Sequence, residues 1–193
     1  MANKIRYGIK SVAYALRTDD DESGLPVYDS PVALPGAIAM KSTPVGDDVE
    51  VYADDNTHYK RPVNNGYTGE LEIASLESED YAALMNWPID ANGAVIEDYD
   101  AEPAHFALLY QISGNESGRR VAYYDCVAER PSGDDKTRTK TITPTTQTLK
   151  LTMLPVWTGA RTTPKVFIDQ TDDNQAVYDA FFDEVYFEES AVS

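Results

Sequence analysis

The sequence predicts a mainly β domain with one or two α-helices, built as an antiparallel sandwich or barrel. Three observations carry that prediction. Apolar and polar residues alternate with a period of two in several separate runs, the mark of half-buried strands. Clusters of Gly, Pro, Asn and Asp punctuate those runs as turns. Only one stretch reads clearly as a helix.

In chain order, Val12, Tyr14 and Leu16 alternate with Lys10, Ala13 and Arg17 in the first strand. In the second, Tyr67, Leu71 and Ile73 oppose Thr68, Glu70 and Glu72. Phe106, Leu108, Tyr110 and Ile112 form one face of an apolar run, and residues 119–129 read as a strand with both faces partly covered. Leu149, Leu151 and Met153 oppose Thr148, Lys150 and Thr152, and Val166 with Ile168 makes a last short strand. The helix signal lies between the second and third runs. Ser78 suits an N-cap, Glu79 and Asp80 suit the first turn, Tyr81, Leu84 and Met85 share a face, and Pro88 bars continuation. A second helix is expected near residue 177, capped by Asp172 or Asp173, with Val177, Phe181 and Val185 on one face; FFDEVYF reads equally as a strand. Residues 41–66 read as a long loop. An ordered excursion of that length from a β domain is usually functional.

The chain has 193 residues, which suits one domain able to bury a real core. Tyrosine dominates its aromatics, with 13 Tyr against 5 Phe and 2 Trp, a bias that suits wet interfaces and strands alike. No apolar run reaches the ~20 residues of a membrane span, and the start MANKIRYGIK carries charges where an export signal needs an apolar core. Cytoplasmic synthesis is the expectation. The single cysteine, Cys126, allows no internal disulfide, and the Asn115 sequon reads as chance.

The net charge of −17 argues against partners that need a basic patch, such as tightly bound nucleic acid or anionic membrane. The charge is segregated. Residues 1–18 and 136–165 carry four and six bases and no acid, whereas 166–193 carry eight acids and no base. Such segregation lets one copy meet the next through opposite charges. An acidic, solubilising face on a monomer explains it as well.

Motifs that carry chemistry are missing. There is no phosphate-cradling glycine loop ending in Lys-Ser/Thr, no G-x-G-x-x-G after a strand and no G-x-S-x-G elbow. One Cys and two distant His, His58 and His105, do not make a zinc site. His105 and Cys126 read as structural residues. The acidic pairs lack the EF-hand spacing, and Asp90-Ala-Asn92-Gly93 reads as a turn. No catalytic residue, cofactor or metal site is expected. A hydrolase with an unmarked carboxylate pair would need a pocket with shifted acid strengths, which no residue here announces.

The order of short motifs resembles the major tail proteins of long-tailed bacteriophages, of the phi13 type. The chain opens MANKIRYGIKSVAYAL; Tyr52-Ala53-Asp54-Asp55 follows, then NNGYTGELEIA at 64–74, FALLY at 106–110, YYDC at 123–126 with Arg130-Pro131-Ser132, TITPTTQTL at 141–149 and VYDAFFDEVY at 177–186. These landmarks cover nearly the whole chain; residues 150–170 and the last acids depart from the pattern. The resemblance implies one tail-tube domain over 1–193, a β-sandwich flanked by a helix. Six copies would form a ring, and stacked rings a tube in the virion tail, assembled in the host cytoplasm. It implies the tape-measure protein, a tail terminator and distal tail or baseplate proteins as partners, with DNA passing unbound. No catalytic residues belong to the pattern. Within that reading, Lys4, Arg6, Asp47, Asp48, Tyr52, Asp54, Tyr59 and Arg61 are the expected contacts between subunits or rings, and Glu70 and Glu72 the expected acids of the lumen. A related ring protein, such as a tail terminator or a secretion-machine tube, is the alternative. A calcium- or ligand-binding β-sandwich is a further one.

Overall fold

Most strand-forming residues collect into one nine-stranded antiparallel sheet, beside two separate two-stranded pairs, in the computed structural model, which describes residues 7–46, 49–53, 56–61, 63–114, 117–132 and 145–188. The strands are β1 (Ile9–Asp20), β2 (Pro26–Tyr28), β3 (Val32–Ala33), β4 (Ala37–Pro44), β5 (Val49–Ala53), β6 (Asn56–Arg61), β7 (Tyr67–Ile73), β8 (His105–Ile112), β9 (Arg120–Ala128), β10 (Gln147–Leu154), β11 (Val156–Trp157), β12 (Thr162–Thr163) and β13 (Lys165–Ile168). The helices are α1 (Ser78–Met85) and α2 (Gln175–Ala180). The main sheet runs β2-β1-β8-β9-β10-β7-β4, while β3 adds to β1 and β13 to β9. The protein is thus mainly β, antiparallel, with two short helices.

β9 is the centre of this sheet. On one side it pairs with β8; on the other, its second half pairs with β10 and its first half with β13. The sheet curls. The Tyr123 hydroxyl on β9 donates to Ser42 Oγ on β4 at 2.9 Å, although β10 and β7 lie between those strands. Inside the curl, Val12, Tyr14, Phe106, Leu108, Tyr123, Cys126, Leu71, Ile73, Leu151 and Met153 pack together, closed by Leu84 and Met85 of α1. A register shift in β9 lets Tyr123 and Cys126 both point inward, with Tyr124 between them pointing out.

The outer face of β1, β8 and β9 is lined by small residues, Ala15, Ala107 and Ala122, beside Leu109 and Tyr124. Small side chains let a covering segment approach closely, and residues 178–187 take that place. Phe181 and Val185 pack on the alanines, and Phe187 stacks on Tyr124 with ring centroids 5.4 Å apart. The Tyr124 hydroxyl donates to the Tyr186 carbonyl at 2.9 Å. Burial pushes the acidities of Tyr124 and Tyr28 well below those of ordinary phenols, so both stay neutral hydrogen-bonding groups.

Both helices differ in detail from their sequence signals. Glu77, not Ser78, holds the N-cap position of α1, and no side chain caps it. Asn86 ends the helix in the left-handed conformation, two residues before Pro88. α2 is capped in position by Asn174 rather than Asp172 or Asp173, and it stops at Ala180. FFDEVYF is a run of turns followed by irregular chain, not a strand. The expected face of α2 is also rotated: Tyr178 is buried and Val177 exposed, while Phe181 and Val185 reach the core from beyond the helix. Asp80, on the buried side of α1, accepts the Tyr14 hydroxyl at 3.0 Å, which satisfies both polar groups in place.

Candidate assembly surfaces

The half of the sheet that the C-terminal segment leaves uncovered is formed by β4, β7 and β10. Its outward side chains line up in cross-strand rows. Lys41, Glu70 and Lys150 form one row, Thr43, Thr68 and Thr152 the next, and Ala39, Glu72 and Thr148 a third. Lys41 Nζ lies 3.6 Å from Glu70 Oε2 with both side chains exposed, a pair that contributes at most about 1 kcal/mol. Glu72 accepts the Thr146 hydroxyl at 2.7 Å. The two expected lumen acids are therefore both on this face, but Glu70 stands between two lysines, and the row carries both signs.

β4 ends the sheet and pairs on one side only, with β7. An edge strand of this length offers unpaired amides and carbonyls to another chain. From the β4–β7 pair the chain projects as the β5–β6 hairpin, whose strands pair with each other and form a separate two-stranded sheet. The stretch 41–66 is thus the end of β4 plus a hairpin, and not one loop. Within it Val49 stands opposite Arg61, Val51 opposite Tyr59 and Tyr52 opposite Thr57. Tyr52, Tyr59 and Arg61 are thereby placed on the hairpin by backbone register. Lys4, Arg6, Asp47, Asp48 and Asp54 lie outside the described residues.

The neck of the hairpin is tight. The Val45 amide donates to the Gly66 carbonyl at 2.9 Å, and the Asn65 amide to the Val45 carbonyl at 2.7 Å. Gly66 has φ +116°, and a Cβ there would lie 2.3 Å from the Met153 carbonyl oxygen. Gly66→Ala is expected to lower the unfolding free energy by about 2 kcal/mol or more, combining left-handed strain with a backbone clash. Urea unfolding reads this directly; an unchanged midpoint would mean the neck is wider than described.

On the covered half, Asp125 is the one strongly buried acid besides Asp80 among the described residues. Its carboxylate takes Arg17 at 3.3 Å and His105 Nδ1 at 2.6 Å. Sequence reading did not single out Asp125 or Arg17, because their pairing joins residues far apart in the chain. Cys126 follows Asp125 and points to the other side of the sheet, so His105, Asp125 and Cys126 do not form a nucleophile–base–acid relay. Burial, followed by the neighbouring Asp125 charge, pushes the Cys126 thiol far above the usual range, which keeps it protonated and unreactive. Asp90 accepts the amides of Asn92 and Ala94, each at 2.8 Å, and so serves a turn. Among the described residues no group of three or more His, Cys, Asp or Glu is arranged to hold a metal ion.

No known family model and no curated protein matches the chain.

Proposed function

We propose that this chain is a structural subunit that assembles into rings and then into a tube, the role of a phage major tail protein. One observation carries the reading: the sheet is finished on one half by its own C-terminal segment, and bare on the other. The bare half combines a polar face, a one-sided edge strand and a projecting hairpin. An edge strand that pairs with the next copy removes its own unpaired groups, and repetition around a ring closes the sheet. The polar face of β4, β7 and β10 then lines the lumen, where DNA passes and the tape-measure protein sits before it.

The charge on that face suits a conduit. Duplex DNA carries about one charge per ~1.7 Å of axis, so unpaired lysines on the wall would hold it. Glu70 stands between Lys41 and Lys150, and with Glu72 in the neighbouring row the two acids offset the two lysines. The motif order described above supports the same reading.

Negative-stain electron microscopy of the purified chain over a range of concentrations tests it. Hollow rings that stack into tubes are the expected result. Rings that never stack would move the reading to a terminator-like protein, and a monomer at every concentration would overturn it.

A further inference from the structure

We propose that the loop joining α1 to β8, residues 86–104, is a preformed docking surface for a second copy of this chain. Tyr99 is its anchor, and the Tyr7–Lys10 end of the next copy is its acceptor. The proposal rests on the tube reading and assigns its stacking contact to named residues.

The loop displays three large apolar side chains to solvent. Tyr99 is 86% exposed, Ile96 51% and Ile89 47%. Single exposed apolar residues are ordinary, but here three share one connection and that connection is fixed. Ile89 bridges Val95, and the Ile96 amide donates to the Pro88 carbonyl at 3.0 Å. At the tip, Arg130 from beyond β9 donates to Glu97 Oε1 at 3.2 Å and to the carbonyls of Asp98 and Tyr99, each at 2.9 Å. Tyr99 is thus held out by a guanidinium clamp on its own backbone. A binding residue ordered in advance loses little freedom on association, and tyrosine is among the side chains that dominate interface energy.

Charge selects the occupant. The loop carries Asp90, Glu97, Asp98, Asp100 and Glu102 and no base. It leads into β8 beside the Leu16 end of β1, because Leu16 pairs with Phe106. Ile9 pairs with Ile112 at the opposite end of the same two strands, roughly 20 Å away at ~3.3 Å per residue. There Tyr7 is 66% exposed and Lys10 is exposed. In sequence, residues 1–10 carry three bases, Lys4, Arg6 and Lys10, and no acid. One pair of strands therefore ends in an acidic, aromatic tip and begins in a basic, aromatic one. Two unlike, complementary ends on one molecule make a head-to-tail contact, which repeats without closing.

Sedimentation velocity of the full chain, over a concentration series and at low and high salt, tests the assignment. Tyr99→Ala removes only an exposed ring, and far-ultraviolet circular dichroism checks that the fold is kept. It should raise the concentration needed for stacking roughly ten-fold or more. Asp100→Lys and Lys10→Asp should each do the same, and the double variant should recover most of the loss, because reversing both charges restores the pair. If the wild-type chain stacks and these single variants stack at the same concentrations, the docking assignment is overturned while the tube reading stands. If the wild-type chain never self-associates, both fall.

Discussion

If the chain builds tubes as proposed, deletion of residues 47–60 is expected to leave a folded subunit that does not form them. The removed residues include β5 and all of β6 but Arg61, strands that pair with each other rather than with the main sheet. The remaining ends already meet. A Cβ on Gly46 would overlap the Val63 carbonyl, so the chain on either side of the gap is in contact and can close as a short turn. Short closures cost little entropy. The thermal midpoint should therefore shift by only a few degrees, while electron microscopy shows no tubes at concentrations where the full chain gives them. The size of the effect follows from repetition: an interface removed from one subunit is missing at every step of the polymer. Tubes of normal length would show that the hairpin is an ornament of the monomer and would return the assembly role to the edge of β4 and the 86–104 loop.

Phe181→Ala should be the most destabilising single change among those considered, by about 3–5 kcal/mol. Phe181 is 1% exposed and packs over Ala15, Ala107 and Ala122. Its ring also meets Phe182 edge-on at 5.9 Å and stacks near Tyr186 at 6.3 Å. The alanines cannot reach out to fill the space, and the hydrogen-bonded sheet cannot rise to meet the helix. The cavity term is therefore nearly complete. Guanidinium unfolding should show a lower midpoint at an unchanged slope. Phe167→Ala is the control. Phe167 is 53% exposed beneath Arg119, so the same chemical change should cost well under half as much. Equal losses at the two positions would mean that residues 178–187 do not seat on the sheet as described.

The strands were legible where one of their faces meets water. Thr148, Lys150 and Thr152 are exposed and Leu149, Leu151 and Met153 buried, so alternation reports β10 directly. β9 was legible only as a run covered on both sides, because α1 and the core lie on one face and the C-terminal segment on the other. Local signals said less about ends. Two residues beside each other can both serve as a cap, and the chain chose Glu77 over Ser78 and Asn174 over the aspartates. The rotation of the α2 face, with Tyr178 in and Val177 out, follows from where the helix stops, which tertiary packing decides. In the candidate surfaces, Glu70 and Glu72 were readable as outward-facing, but the lysines flanking Glu70 come from strands far away in sequence. Arg130 as the clamp of Tyr99 was not readable, since it joins residues about thirty apart by their backbone carbonyls. The acids Glu97, Asp98 and Asp100 that flank Tyr99 are a sequence feature that could have marked the place.

The placement of β1 has a kinetic consequence. Its backbone pairs with β8, its inner face needs the core built by β7 to β10, and its outer Ala15 is covered by Phe181 and Val185. Each of these partners of the first strand is made much later than the strand itself. Such pairings join residues distant in sequence, and loops must close before the pairings reward them. The chain should consequently fold on the slow side, in roughly milliseconds to seconds. During synthesis the run from Val12 to Leu16 has only β3 and the chain beside it to pair with until β8 is made, which leaves its other edge a natural target for a chaperone. The cover formed by residues 178–187 is made last, so the outer face of β1 stays open to solvent until the chain is nearly complete.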